Sequence, residues 1–401
     1  MRAMTDPAPV TGLRRHPYRI FFPLGWLMMW VGLLPWVLFA WAGLSEYPRD
    51  LHVLVLIQGA LTSFAVGFLF TMLPRRLDAP APSSWQVWQA IVTPPLHAWL
   101  VWQEQLAWAH GVWCLLALTM VGFTASRIYG FNAERRGPIA FAWIPLAWGF
   151  GLAGAGLQAI HTAQPPGAVG FLALSSEAIG LGWLMLTHGL FLSLILGVGG
   201  LFLPLVFHKQ SSTDADQVPN AKVQQRLHMV AAMVVLFSFA GQASGWWHLS
   251  LLIRAGTVLL VLLMMAGIHR PPSIAGTQRK LIWLATWCLP AGIALLAAIP
   301  SRPQIGLHIF FLGGIGLITL AVALHVGLAH STGQELVFKP VLQTQLFGAL
   351  TGLALVLRIV AEIDHIHRFD WLGAAAAVML LALLPWAQLV LTRLVPAIGR
   401  E

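Results

Sequence analysis

A chain of 401 residues with 58% hydrophobic and only 9% charged side chains, and a mean hydropathy of +0.76, is excluded from the water-soluble globular class. Its formal net charge of +9 is dispersed through short loops, which points to membrane orientation and away from nucleic acid. Apolar runs long enough to cross a bilayer recur along the whole length, so the expected fold is all-α. The sequence reads as one integral membrane domain over 1–401, a polytopic protein of about twelve transmembrane helices whose surroundings are the lipid bilayer. Cys114 and Cys288 each stand alone in an apolar run and offer neither a disulfide framework nor a CxxC metal pair.

Taken in order, residues 1–18 form a polar tail ending in the basic run Arg14-Arg15-His16-Pro17-Tyr18-Arg19. The apolar stretch that follows is too long for a signal-peptide core and lacks a small-residue cleavage site, so it is expected to be an uncleaved first span with the tail in the cytoplasm. Spans are expected at 19–44, 51–73, 85–102, 106–128, 138–162, 169–207, 226–246, 248–268, 281–299, 305–330, 340–361 and 371–395. Segment 85–102 is short and carries Pro94-Pro95, and 169–207 has length enough for two helices. Charge arbitrates. With 169–207 crossing once, Arg49, Arg302 and Arg368 lie outside, Arg254 and Arg358 lie within spans, and the other eighteen of the 23 Lys and Arg lie inside. That bias predicts cytoplasmic N- and C-termini and a cytoplasmic loop at 208–226, between spans 6 and 7.

This topology sorts the histidines. His52, His97, His110, His161, His188, His248, His308, His365 and His367 fall at or near the outer face, and His16, His208, His228, His269, His325 and His330 on the inner side. Spans 2, 6 and 10 run in the same direction. His52, His188 and His308 precede the inner boundary of these spans by similar lengths of chain, which places each some ~30 Å above it. Neutral imidazoles at one level on several helices suit haem iron or copper, both of which take nitrogen ligands. A boundary histidine is also a common snorkelling residue. His188, well inside GWLMLTHGLFLSLILGVGG, is the least easily read that way, because a polar side chain there needs a partner. His52, His188 and His308 are therefore the candidate cofactor and metal ligands.

Other polar residues give weaker signals. Arg358 and Glu362 are spaced to pair along one helix, whereas Arg254 and Glu177 need partners from other helices. His365 and His367, beside Glu362, Asp364 and Asp370, suit an outer surface role or loose binding of a divalent cation. Gly313, Gly316 and Ala323 leave a strip on 307–330 where another helix could approach. Met28-Met29 and Met264-Met265 read as packing.

HPYRIFFPLG at 16–25, HVLVLIQGALTSFAVGFLFTMLP at 52–74, GGLFLPLVF at 199–207 and LHIFFLGGIGLITLAVALHVGLAHSTG at 307–333 resemble, in order and spacing, the successive signatures of the NnrS family. The resemblance implies a multi-pass protein of the bacterial inner membrane that contains haem b and copper. It also implies a role in the response to nitric oxide and nitrosative stress, with that gas or a related one as ligand, and it carries His52 and His308 into the site. The family's second-span His-Ala-His-Glu is His52-Val53-Leu54-Val55 here, and its Gly-His-Thr-Gly-Arg after span 10 is Ala329-His330-Ser331-Thr332-Gly333-Gln334. These departures imply a divergent member. If the protein is an enzyme, the reading is a haem-dependent membrane oxidoreductase. The rival reading is a secondary transporter, although no half-to-half repeat is visible. A haem-copper oxidase type subunit would need an adjacent His-His pair, which this chain lacks.

Overall fold

The structure is a computed structural model that describes residues 14, 16–130, 137–164, 174–208, 221–330 and 334–394. It contains α1 Tyr18–Trp41, α2 Arg49–Leu77, α3 Ser84–Trp102, α4 Leu106–Tyr129, α5 Trp143–Ala163 and α6 Ser176–His208. The second half holds α7 Ala221–Ala243, α8 Trp247–Ala266, α9 Thr277–Ala298, α10 Pro303–Ala329, α11 Leu342–Ile363 and α12 Arg368–Leu394. Each expected span has its helix, and no strand forms among the described residues. Eleven of the helices are long and apolar enough to cross a membrane. The chain is thus an all-α polytopic membrane protein.

The exception is α3, a helix of 19 residues that contains Pro94 and Pro95. It starts on a capping box in which the Ser83 hydroxyl accepts from the Gln86 amide N–H and the Gln86 side chain accepts from the Ser83 N–H. Thr119 of α4 donates to Gln89 at 2.8 Å and His97 meets Gln58 of α2 at 3.2 Å, so the helix is held along its length by its neighbours despite the two missing N–H groups. The long apolar stretch at 169–207 is a single helix of 33 residues from Ser176 onward, in keeping with one crossing. Between α7 and α8 the joint is a tight turn in which Gly245 takes a φ of +92°, open to glycine at no steric cost. Most of the 1–18 tail and residues 209–220 of the polar loop lie outside the described residues.

Sequential helices pack as neighbours, and α12 closes the bundle by packing on α1 as well as on α11. A lipid tail is as apolar as leucine, so helix association in a membrane depends on close packing. Small residues provide it here. A methyl group at Gly154 of α5 would sit 2.6 Å from the backbone nitrogen of Leu186 on α6, and one at Gly292 of α9 would sit 2.6 Å from that of Phe310 on α10. Gly306 and Gly314 of α10 are equally tight against α9. The small-residue strip expected on α10 thus works through Gly306, Gly313 and Gly314, while Gly316 meets only its own helix. Gly292→Leu is expected to lower stability by roughly 1–3 kcal/mol, as overpacking does. Gly111→Ala on α4, with nothing within 4 Å, is expected to leave the thermal unfolding midpoint in detergent unchanged; equal midpoints for the two variants would contradict this account.

Three helices are not regular throughout. α2 contains a π-helical stretch at Val55–Leu61, α6 one at Met185–Gly189 and α10 one at Ile309–Gly316. Such wider turns are uncommon and recur at functional sites. They begin just after His52, enclose His188 and begin just after His308.

Candidate functional site

The three irregular helices border one cavity. Side chains from α1, α2, α6, α10, α11 and α12 enclose about 250 Å³, against the roughly 10–15 Å³ that one water needs. His52, His188 and His308 all line it, although they lie far apart in sequence. Around them the wall is mainly apolar and aromatic, with Trp36, Trp183 and Phe311 among its members, and a few polar groups converge at one side. That composition is typical of a cofactor or ligand pocket.

Hydrogen bonds fix the state of each ring. His52 Nδ1 lies 2.9 Å from the Gly32 carbonyl, and His308 Nδ1 lies 2.8 Å from the Gln304 carbonyl. A carbonyl can only accept, so both imidazoles carry their proton on Nδ1 and present the lone pair of Nε2. The Thr187 hydroxyl gives its single proton to the Trp183 carbonyl at 2.7 Å, so the 2.9 Å contact between Thr187 and His188 must be Nδ1–H donating to the hydroxyl oxygen. All three Nε2 atoms are therefore acceptors. Histidines that bind metals are commonly held in this way, with the second nitrogen donating to a carbonyl or other fixed acceptor.

Their Nε2 atoms differ in occupation. Nε2 of His308 accepts from Arg358 Nε at 3.2 Å. Nε2 of His188 is buried and has no hydrogen-bond partner in the chain, and the ring is stacked on Phe310 at 5.0 Å with Phe311 edge-on at 5.2 Å. Nε2 of His52 makes no hydrogen bond among the described residues, and its ring stands edge-on to Trp36 at 5.9 Å.

The i, i+4 pair expected on α11 forms, with Arg358 donating to Glu362 at 2.7 Å. Arg254 of α8 finds a partial partner across the helix interface: its Nε donates to the Ser238 hydroxyl at 2.9 Å and its guanidinium lies over the Phe239 ring at 4.0 Å. Both terminal nitrogens are buried without a partner. Glu177 corrects the expectation of an intramembrane charge. It is exposed in the first turn of α6, behind the Ser175 cap, where the helix dipole favours a carboxylate. His97 and His110 are buried between α2, α3 and α4, away from the cavity lining; their outer-face placement gave no hint of this. Sequence reasoning also missed Arg49, Gln304 and Arg368, which line the cavity.

Near the cavity, the turn between α11 and α12 is closed on Asp364. Its Oδ1 accepts from the backbone N–H groups of Ile366 and His367, and its Oδ2 from the Trp371 indole at 3.0 Å and the His367 ring at 3.1 Å. With Asp364 and His367 engaged on each other, the loose cation site foreseen there is not formed. No group of three His, Cys, Asp or Glu placed to hold a metal ion occurs anywhere among the described residues. The bond from Trp371, then those from His367, holds the Asp364 carboxyl down at about 2. A depressed carboxyl stabilises the fold above its ordinary value of 3.8, and that contribution is lost as pH falls through about 2. Asp364→Asn is therefore expected to lower the unfolding midpoint by a constant amount from neutral pH down to about 4. The gap should close between there and about 2, and a gap independent of pH would contradict the assignment.

No curated protein matches the chain. The family model described as NnrS protein matches residues 12–397, which takes in every helix that lines the cavity. With a match over nearly its whole length, the chain belongs to the NnrS family.

Proposed function

We propose that the protein binds haem in this cavity, through Nε2 of His52 and His188, and acts in the bacterial inner membrane in the response to nitric oxide. The observation that carries the reading is the unsatisfied Nε2 of His188. It is a buried lone pair on a ring that donates through Nδ1, and that ring lines the cavity His52 shares. A buried acceptor left unmet costs about 1–3 kcal/mol, and a ligated metal removes that cost. Haem fits the residues better than a bare ion does. A haem brings four nitrogens of its own, so His52 and His188 would be enough to hold it where no three-residue metal group exists among the described residues. Copper is the second metal of the proposal, with His308 as the remaining imidazole of the cavity.

When bound, haem supplies an iron that carries an electron or takes a small gas. The protein's part is to orient the imidazoles through Gly32 and Thr187, to press Phe310 against His188, and to offer the indole faces of Trp36 and Trp183 in the cavity wall. The test is the absorption spectrum of the protein purified in mild detergent from cells supplied with haem. A Soret band is expected, and its absence would put the transporter reading ahead.

A further inference from the structure

Three arginines line the histidine cavity, and their pairing is unequal. Arg49 is answered by Asp50, at 3.8 Å, with both side chains more than half exposed. Arg358 and Arg368 instead share one carboxylate. Oε1 of Glu362 accepts from Arg358 at 2.7 Å and from Arg368 at 3.2 Å. The three side chains are 11%, 36% and 7% exposed for Arg358, Arg368 and Glu362 respectively, so the cluster is largely out of water. Two cations on one anion leave a net positive charge.

Donors are left over as well as charge. Arg358 spends Nε on His308 and Nη1 on Glu362, and its Nη2 has no partner among the described residues. Arg368 spends only Nη2, and its Nε is buried without a partner. The histidines beside them add no negative charge to answer it. A partly buried guanidinium with unused N–H groups at a cavity wall is the usual receptor for a carboxylate or another planar oxyanion.

Resting on the reading of the cavity as a cofactor site, we infer that Arg358 and Arg368 form an anion-receiving edge that takes a carboxylate of the bound ligand. Glu362 holds the two guanidiniums side by side without neutralising both. A macrocycle with acidic side arms would be oriented by this edge, its carboxylates against α11 and α12 and its metal toward His52 and His188. A free small oxyanion such as nitrite shares the chemistry, and the two sources are separable.

The probes are haemin and haemin dimethyl ester, titrated into purified apoprotein and followed by the Soret band, with nitrite as a third. Wild type is expected to bind haemin about 10- to 100-fold more tightly than the ester, the worth of one charge-assisted contact. Arg368→Gln and Arg358→Gln should lose that preference, and Arg358→Lys should regain part of it. Equal binding of haemin and ester by wild type would overturn the anion edge and leave the haem reading standing. If neither binds, the haem reading falls and the nitrite arm decides. A rise in thermal midpoint with nitrite that disappears in Arg368→Gln supports the edge as a site for free oxyanion, and no rise overturns it.

Discussion

Alanine in place of His188 is expected to abolish the Soret band or shift it strongly, and the same substitution at His52 should act alike. Loss of a direct ligand should exceed the roughly 10–100-fold fall in metal affinity that follows loss of an outer partner. Thr187→Val supplies that smaller comparison, because it removes only the acceptor that fixes the His188 tautomer. His308→Ala is expected to leave the position of the band unchanged, since its Nε2 is already engaged by Arg358. Free imidazole in the buffer should restore the band in the His188→Ala protein, where the missing ring leaves room beside Phe310. That rescue distinguishes a lost ligand from a lost fold. Full bands in both the His52 and His188 variants would sink the assignment.

The second large effect is on stability. Glu362→Gln takes away the carboxylate that Arg358 and Arg368 share and sets two guanidiniums side by side on a poorly hydrated wall. Removing one member of a buried ion pair typically costs about 3–5 kcal/mol, because the partner is left charged and unanswered. The double variant Glu362→Gln with Arg358→Gln should recover most of the loss, since Arg368 alone can reach water. Thermal unfolding of wild type, the two single variants and the double variant forms a cycle, and additive effects would show that Glu362 and Arg358 do not act as a unit.

Much of this was legible in the sequence. Apolar length and the placement of Arg and Lys gave the order of the helices, including the single crossing of α6. Depth arithmetic then put His52, His188 and His308 on one level, and the structure places all three on one cavity. The Arg358–Glu362 pair followed from its spacing alone. What stayed hidden depends on rotation about the helix axis, which length and hydropathy do not encode. His97 and His110 share the outer region with the other histidines but face a different interface. Arg368 counts in the sequence as an outer-loop charge, and only the return of α12 onto α1 brings it to the cavity wall. Glu177 erred in the opposite direction: an apolar context suggested burial, and the helix starts just late enough to leave it exposed.

The π-helical stretches in α2, α6 and α10 set a boundary across the bundle. A π turn holds one residue more than the α turn it replaces, so each slips the angular phase of its helix by about 100°. In α10 the glycines locked against α9 lie before and within the π stretch, at Gly306, Gly313 and Gly314, so the stretch sets the angle between the packed face and His308. Each stretch thus sets how its histidine is turned toward the cavity relative to the remainder of the helix, whose register continues undisturbed. Deleting a single residue within Val55–Leu61 would be expected to restore a continuous α-helix while swinging His52 off the cavity, uncoupling the scaffold from its site in one step.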